Sequence, residues 1–275
     1  MLPNNPDTTT QQVAVILNTS GSGRPLLNIL QQLLGEDTET QLHGVFIEDD
    51  ELQRVAALPF VKELSRLTLN VREIHSTRFD RIIALRVRTA RSAVEGLARR
   101  MGVSHTFRKA RGSTVSLLRE TVHTSNITVF EPSRKLAAST ISQPLQVRSS
   151  PRHIVVVIDD TDTCDKALLT ATLLAKGRTH RITVILRVKT PVEEDAMNRL
   201  INDLLPTGPD HLLLLQDKGI QNLVAAVRAE RADMLVLGAS EELLKPETLR
   251  VLLKHLECPV CLVRQLQNHV NESAG

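Results

Sequence analysis

From Arg111 to Glu131 the chain can be laid over Lys218 to Gly238 without a gap, so that Gly112 falls on Gly219, Asn126 on Asp233 and Val129 on Val236. An internal repeat of this kind constrains the architecture more than any single residue does, because each copy must form one supersecondary unit of the same plan. Aliphatic runs of strand length alternate with longer helical patterns through both copies, which is how parallel sheets with helical crossovers read. The expected strands of the second copy are His153 to Asp159, Ile182 to Val188, Leu212 to Gln216, Met234 to Gly238 and Pro259 to Arg264. Those of the first are Val13 to Asn18, Leu42 to Glu48, Ser104 to Arg111, Ile127 to Phe130 and Pro144 to Arg148. The near-continuous aliphatic character of the second copy's strands implies burial on both faces.

The expected fold is therefore α/β: two fused, open, parallel five-stranded sheets of Rossmann-like order with helices on both faces, related as an intramolecular pseudo-dimer. Domain 1 is expected over 12–149 and domain 2 over 152–265, with tails at 1–11 and 266–275. The boundary lies in Gln146 to Arg152, where SSPR separates a strand from the next. The first copy has about 33 more residues between its second and third strands and about eight fewer between its fourth and fifth. An insertion at about 49–80 follows, opening on Glu48-Asp-Asp-Glu51 before LQRVAALPF, an acidic first turn suited to a helix N-terminus at the sheet edge. The last helix of the first copy is correspondingly expected to be short.

Phe79 to Met101 carries Ile83, Val87, Ala90, Val94, Leu97 and Met101 at alternating steps of four and three, an apolar helix seam. Arg81, Arg88, Arg91 and Arg99 mark its outer side, either a solvated face or a surface for an anionic partner. Between Arg78 and Arg111 ten basic residues stand against Asp80 and Glu95 alone. This stretch explains most of a charge asymmetry, with 19 Lys/Arg to 14 Asp/Glu in residues 1–149 and 15 to 17 in the rest. The chain has no Trp or Tyr and its five Phe all lie in the first half, so a base-stacking platform is not expected and nucleic acid is an improbable partner. The polar start and the absence of a long apolar run predict no membrane insertion and a cytoplasmic address. Three cysteines make no disulfide framework.

The stretch Val157-Ile-Asp159-Asp-Thr-Asp-Thr-Cys-Asp-Lys-Ala167-Leu168 resembles the first strand and loop of universal stress proteins, in which an aspartate ends the strand and a polar turn precedes a helix. Ala232 to Gly238 and Cys258 to Arg264 look like that family's fourth and fifth strands, and the order fits in both halves. The resemblance implies that Asp159 meets the adenosine end of a bound nucleotide, with Asp160, Thr161, Val188, Gly238 and Ala239 around it. It also implies a setting in bacterial stress response or signalling, and a fifth strand that joins the halves.

The phosphate cradle departs from that pattern. Nucleotide-binding members follow the fourth strand with spaced glycines, whose amides approach phosphates closely. Here Gly238 is followed, at those spacings, by Glu241, Val251 and Leu252, a carboxylate and two bulky aliphatics. In the first copy Asn18 replaces Asp159 and Glu131-Pro132 replaces the glycine. Thr19 to Gly23 is a donor-rich loop that reads as a turn or as an anion site. Asp159 suits a ligand contact and the capping of loop amides equally.

Other constellations weigh less. Cys258 and Cys261 lie three apart on a strand and point to opposite faces, so they read as core thiols rather than a redox pair. Cys164, between carboxylates, is expected to be unreactive. No triad or histidine pair is legible, and the Asp159 to Asp165 loop lacks the calcium-loop pattern, so no catalytic residue and no metal are expected.

The expectation is a non-catalytic stress-response or signalling adaptor without a cofactor, acting on protein partners and able to homodimerise. A second reading is an adenine-nucleotide sensor in domain 2, with slow hydrolysis of ATP open, in which Lys245 and Arg250 supply phosphate charge beside Asp159 and Gly238. A third is an anion- or nucleic-acid-binding module through Arg78 to Arg111.

Overall fold

A computed structural model of the chain describes residues 10–19, 23–35, 39–50, 54, 62–64, 71–73, 76–132, 151–187, 190–216 and 219–264. The first half runs β1 (Gln11–Asn18), α1 (Arg24–Leu33), β2 (Thr40–Asp49), β3 (Lys62–Leu64), β4 (Val71–Glu73), α2 (Ser76–Met101), β5 (Ser104–Gly112), α3 (Thr114–His123) and β6 (Ile127–Phe130). The second runs β7 (Ile154–Ile158), α4 (Cys164–Leu174), β8 (Ile182–Leu186), α5 (Pro191–Leu204), β9 (His211–Leu214), α6 (Ile220–Ala229), β10 (Met234–Gly238), α7 (Pro246–His255) and β11 (Val260–Val263).

Nine strands form one sheet in the order β5-β2-β1-β6-β11-β10-β7-β8-β9, with β3 and β4 paired apart as a small antiparallel ribbon. Each half is parallel and repeats the same spatial order of its first four strands, which is the duplication seen in three dimensions. Where two five-stranded sheets were expected, four described strands of the first half and five of the second are joined edge to edge in one continuous sheet. The seam is antiparallel: Val260 faces Phe130 and Val263 faces Ile127, and Arg264 N–H extends the ladder to Asn126 O at 2.8 Å. β6 and β11 would otherwise be apolar edges with unpaired backbone groups, and pairing them satisfies both. Pro259 to Arg264 therefore lies at the junction as expected, but its partner is the fourth strand of the first half. The strand expected at Pro144 to Arg148 lies outside the described residues, as do the shortened helix and most of the insertion; Glu48 and Asp49 belong to β2, and the helical turn begins at Asp50.

The central strands β7, β8 and β10 are buried on both faces because both carry helices. By contrast, β5 and β9 at the two edges of the sheet are largely exposed, where burial was expected for Leu212 to Gln216. One face is covered by α1, α2, α4 and α5, and the other by α3, α6 and α7; each hydrophobic core draws strands from both halves. Along α4, Cys164, Ala167, Leu168, Ala171 and Leu174 follow helical spacing and are fully buried. The seam of α2 holds: Ile83, Val94 and Leu97 are buried, with Val87, Ala90 and Met101 packed against the core. Complete burial of side chains such as Val94 and Leu97 stabilises by roughly 1.5–3 kcal/mol each. Gly44 in β2 makes room for this helix, since a Cβ there would stand 2.8 Å from Phe107 Cδ2 and 3.2 Å from Val94.

The repeat extends to single side chains. Asn126 Oδ1 accepts from Gln12 N–H at 2.7 Å, and Asp233 Oδ2 accepts from His153 N–H at 3.2 Å and Arg152 N–H at 2.9 Å. Each is the residue before a fourth strand, holding the start of the first strand beside it. Next to these caps His43 bonds Gln12 in one half, and His153 bonds Thr183 at 2.9 Å in the other. Among the described residues no helix is long and apolar enough to cross a membrane.

Candidate functional site

In an open parallel sheet a crevice forms outside the carboxyl ends of two neighbouring strands whose following helices go to opposite faces. In the second half those strands are β7 and β10, since α4 packs on one face and α7 on the other. Asp159, Asp160, Thr163, Gly238 and Ala239 all stand at this crevice, so the topology brings together residues some eighty positions apart in sequence.

The crevice is occupied by the chain's own groups. Asp159 accepts two hydrogen bonds from Arg187 Nη1, at 3.0 Å to Oδ1 and 3.0 Å to Oδ2. Arg187 continues β8 by one residue, its side chain only 3% exposed and that of Asp159 11%. A buried guanidinium requires a charge partner at this depth, and the neighbouring strand supplies it. Asp160 accepts from Thr163 N–H at 2.9 Å and from Thr163 Oγ1 at 2.8 Å, closing the loop ahead of α4. This turn presses Thr163 onto β10: a Cβ at position 238 would lie 2.0 Å from Thr163 Oγ1 and 2.9 Å from its Cβ. Gly238 is therefore required by side-chain packing. Ala239 N–H donates to Val263 O at 2.8 Å and so continues the sheet.

The remaining expected residues are not drawn into the crevice. Thr161 is exposed, and Val188 lies outside the described residues. Lys245 Nζ binds Glu242 Oε2 at 2.7 Å, a contact that raises its pKa, and Arg250 is exposed on α7. Glu241 faces Arg264 Nη2 at 3.3 Å, while Arg264 Nη1 donates to His123 Nδ1. That chain ties α3 of the first half to the end of β11 in the second. Burial, then the Arg264 charge, lowers the pKa of His123. Burial and Arg108 likewise lower that of His43.

The matching crevice of the first half, between β1 and β6, is bridged differently. Asn18 Nδ2 donates to Glu131 O at 3.4 Å, a bond that a carboxylate could not make. Ile47 stands opposite Asn18 in the strand register, where Arg187 follows β8 opposite Asp159. The two positions differ together between the halves: acid with arginine in one, amide with isoleucine in the other. The sequence reading missed Arg187. This paired change, visible once the second strands are aligned, was the available signal.

The four arginines singled out on α2 are exposed, and Arg91 lies 5.1 Å over the ring of Phe107. Cys261 packs into one core and Cys258 against the other, the opposite faces expected of their spacing. Burial raises all three thiols, Cys164 and Cys258 to about 12. For Cys164 burial outweighs Asp165 and Asp160, so desolvation rather than the acidic neighbours is the main cause.

No family model and no curated protein matches the chain. Among solved structures it is similar to a universal stress protein from Archaeoglobus fulgidus, at 13% identity over 92% of this chain and 96% of that one, with a TM-score of 0.47. The cytoplasmic domain of a prokaryotic cation chloride cotransporter aligns at 10% identity over 92% and 95%, with a TM-score of 0.44. A universal stress protein family member from Burkholderia pseudomallei aligns at 23% identity over 41% of this chain and 96% of its own length, with a TM-score of 0.30.

Proposed function

We propose that this chain is a non-catalytic signalling or adaptor protein of universal stress protein type, in which domains over 12–149 and 152–265 act through protein contacts rather than through a bound nucleotide. The observation that carries this reading is the filled crevice of the second half. Asp159 is engaged by Arg187, Gly238 is covered by Thr163, and Ala239 N–H is committed to the sheet. A nucleotide would need these same groups, and Glu241, Val251 and Leu252 stand at the spacings where glycines let backbone amides approach phosphates closely. The cytoplasmic address and the capacity to homodimerise belong to this proposal.

A sensor for an adenine nucleotide, with or without slow hydrolysis, is the second reading. It is favoured by the position of Asp159 and Gly238 at the switch point of the sheet. Calorimetric titration with ATP, AMP and cyclic dinucleotides separates the two, after mass spectrometry of the denatured protein for co-purified compounds. The adaptor reading expects no heat and no retained nucleotide. Binding that is lost in Asp159→Ala would replace it with the sensor.

A further inference from the structure

The basic residues of the first half fall into two groups. Those of β5 are neutralised: Arg108 pairs with Glu120 at 2.8 Å, Lys109 with Glu48 at 2.6 Å and Arg111 with Asp50 at 2.8 Å. Those of α2 have no carboxylate within ion-pair distance among the described residues, although Arg81, Arg86, Arg88, Arg91, Arg99 and Arg100 are all exposed. On the side of α2 opposite its buried seam, Arg81, Leu85 and Arg88 follow at i, i+4 and i+7 and form one ridge. Leu85 is 60% exposed there and Ile82, beside it, 39%. The same spacing continues through Ser92 and Glu95 to Arg99, about 27 Å from Arg81 along the helix axis at 1.5 Å per residue, so the purely basic and apolar part of the ridge is its Arg81 to Arg88 end.

We propose that this ridge of α2 is a docking surface for an acidic amphipathic helix of a partner protein, whose large aliphatic side chain packs on Leu85 and Ile82 while carboxylates one turn away on each side meet Arg81 and Arg88. The arginines select the charge of the partner, and the two aliphatic side chains select a protein. Phosphate contacts use polar and basic groups and leave an exposed leucine unmatched. The ring of Phe107 is covered by Arg91 and is thereby removed as a base-stacking surface. A helix lying in an anionic membrane surface needs its broad apolar stripe free, and that stripe of α2 is in the core. An apolar centre with a polar rim in which arginine is enriched is the usual anatomy of a protein–protein interface.

This proposal rests on the adaptor reading and names the surface through which it operates. Its test is fluorescence anisotropy with the full chain and a labelled amphipathic helical peptide of leucines flanked by glutamates. A single-stranded oligonucleotide of matched charge and vesicles of phosphatidylcholine with phosphatidylserine serve as competing probes. The peptide is expected to bind at low salt, Leu85→Ser to weaken it about tenfold, and the double change Arg81→Glu with Arg88→Glu about a hundredfold. Arg178→Glu, an exposed charge reversal in the second half, should leave affinity unchanged. Melting temperatures equal to the parent's show that the α2 variants fold. No peptide binding, an unaffected Leu85→Ser, or an oligonucleotide or vesicle binding as tightly as the peptide would each overturn the proposal. Nucleotide titration reads the crevice at Asp159 and anisotropy reads α2, so the two readings fail separately.

Discussion

Replacing Gly238 by alanine tests whether this glycine serves packing or a ligand. Its φ is not in the left-handed region, so alanine can adopt the backbone and the cost is steric. The added methyl would overlap Thr163 Oγ1 at 2.0 Å and crowd its Cβ at 2.9 Å. Thr163 is held by two bonds to Asp160 and is 8% exposed, so it cannot swing away without breaking the turn. Overpacking of this kind costs about 1–3 kcal/mol, offset by roughly 0.4–1 kcal/mol because alanine restricts the unfolded chain. A net loss of about 1–2 kcal/mol corresponds to a fall in Tm of about 2–8 °C for a chain of this size. Thermal melting followed by circular dichroism reads this directly. Thr163→Gly is destabilising alone, yet should recover part of the loss when combined with Gly238→Ala, giving a favourable coupling in the cycle. A Gly238→Ala protein that melts within about 1 °C of the parent would refute the packing argument.

Asp159→Ala leaves the Arg187 guanidinium buried without its carboxylate and should cost about 3–5 kcal/mol in chemical denaturation. Asp159→Asn with Arg187→Ile, the combination found in the first half, should cost distinctly less than the sum of the two single changes, and strict additivity would count against a coupled pair. Stability should also fall as pH drops below about 6.5, the unfolded histidine value. His43 and His123 have lowered folded pKa values, so the unfolded chain binds protons first and the stabilisation present above that pH is lost toward the folded values. His123→Gln, which keeps an acceptor for Arg264, should flatten the profile of Tm between pH 7 and 5, and an unchanged slope would remove His123 from the account.

Much of the fold was legible because it follows from local pattern. Met234–Gly238 and Ile127–Phe130 are strands as read, since unbroken aliphatic runs between turn residues have few alternatives. The seam of α2 was likewise visible in its spacing. The gap-free register carried the repeat down to Asn126 and Asp233, and these two perform the same capping bond.

The candidate site was legible only as positions. Asp159 and Gly238 could be placed at strand ends, but nothing in their own segments reveals what faces them. Arg187 is 28 residues from Asp159, and Thr163 is 75 before Gly238. Periodicity reports which face of an element is apolar; it carries no information about which strand lies alongside or which loop leans across. For the same reason the halves could be recognised as copies, while the choice of β6 as the partner of β11 waited on the assembled sheet, where the two apolar edges become adjacent. Local sequence settled the strands, the helices and their duplication. Contacts between distant segments decided that the crevice is filled by Arg187 and Thr163, because only folding brings the Arg187 guanidinium to 3.0 Å from Asp159 and lays Thr163 over the bare backbone of Gly238.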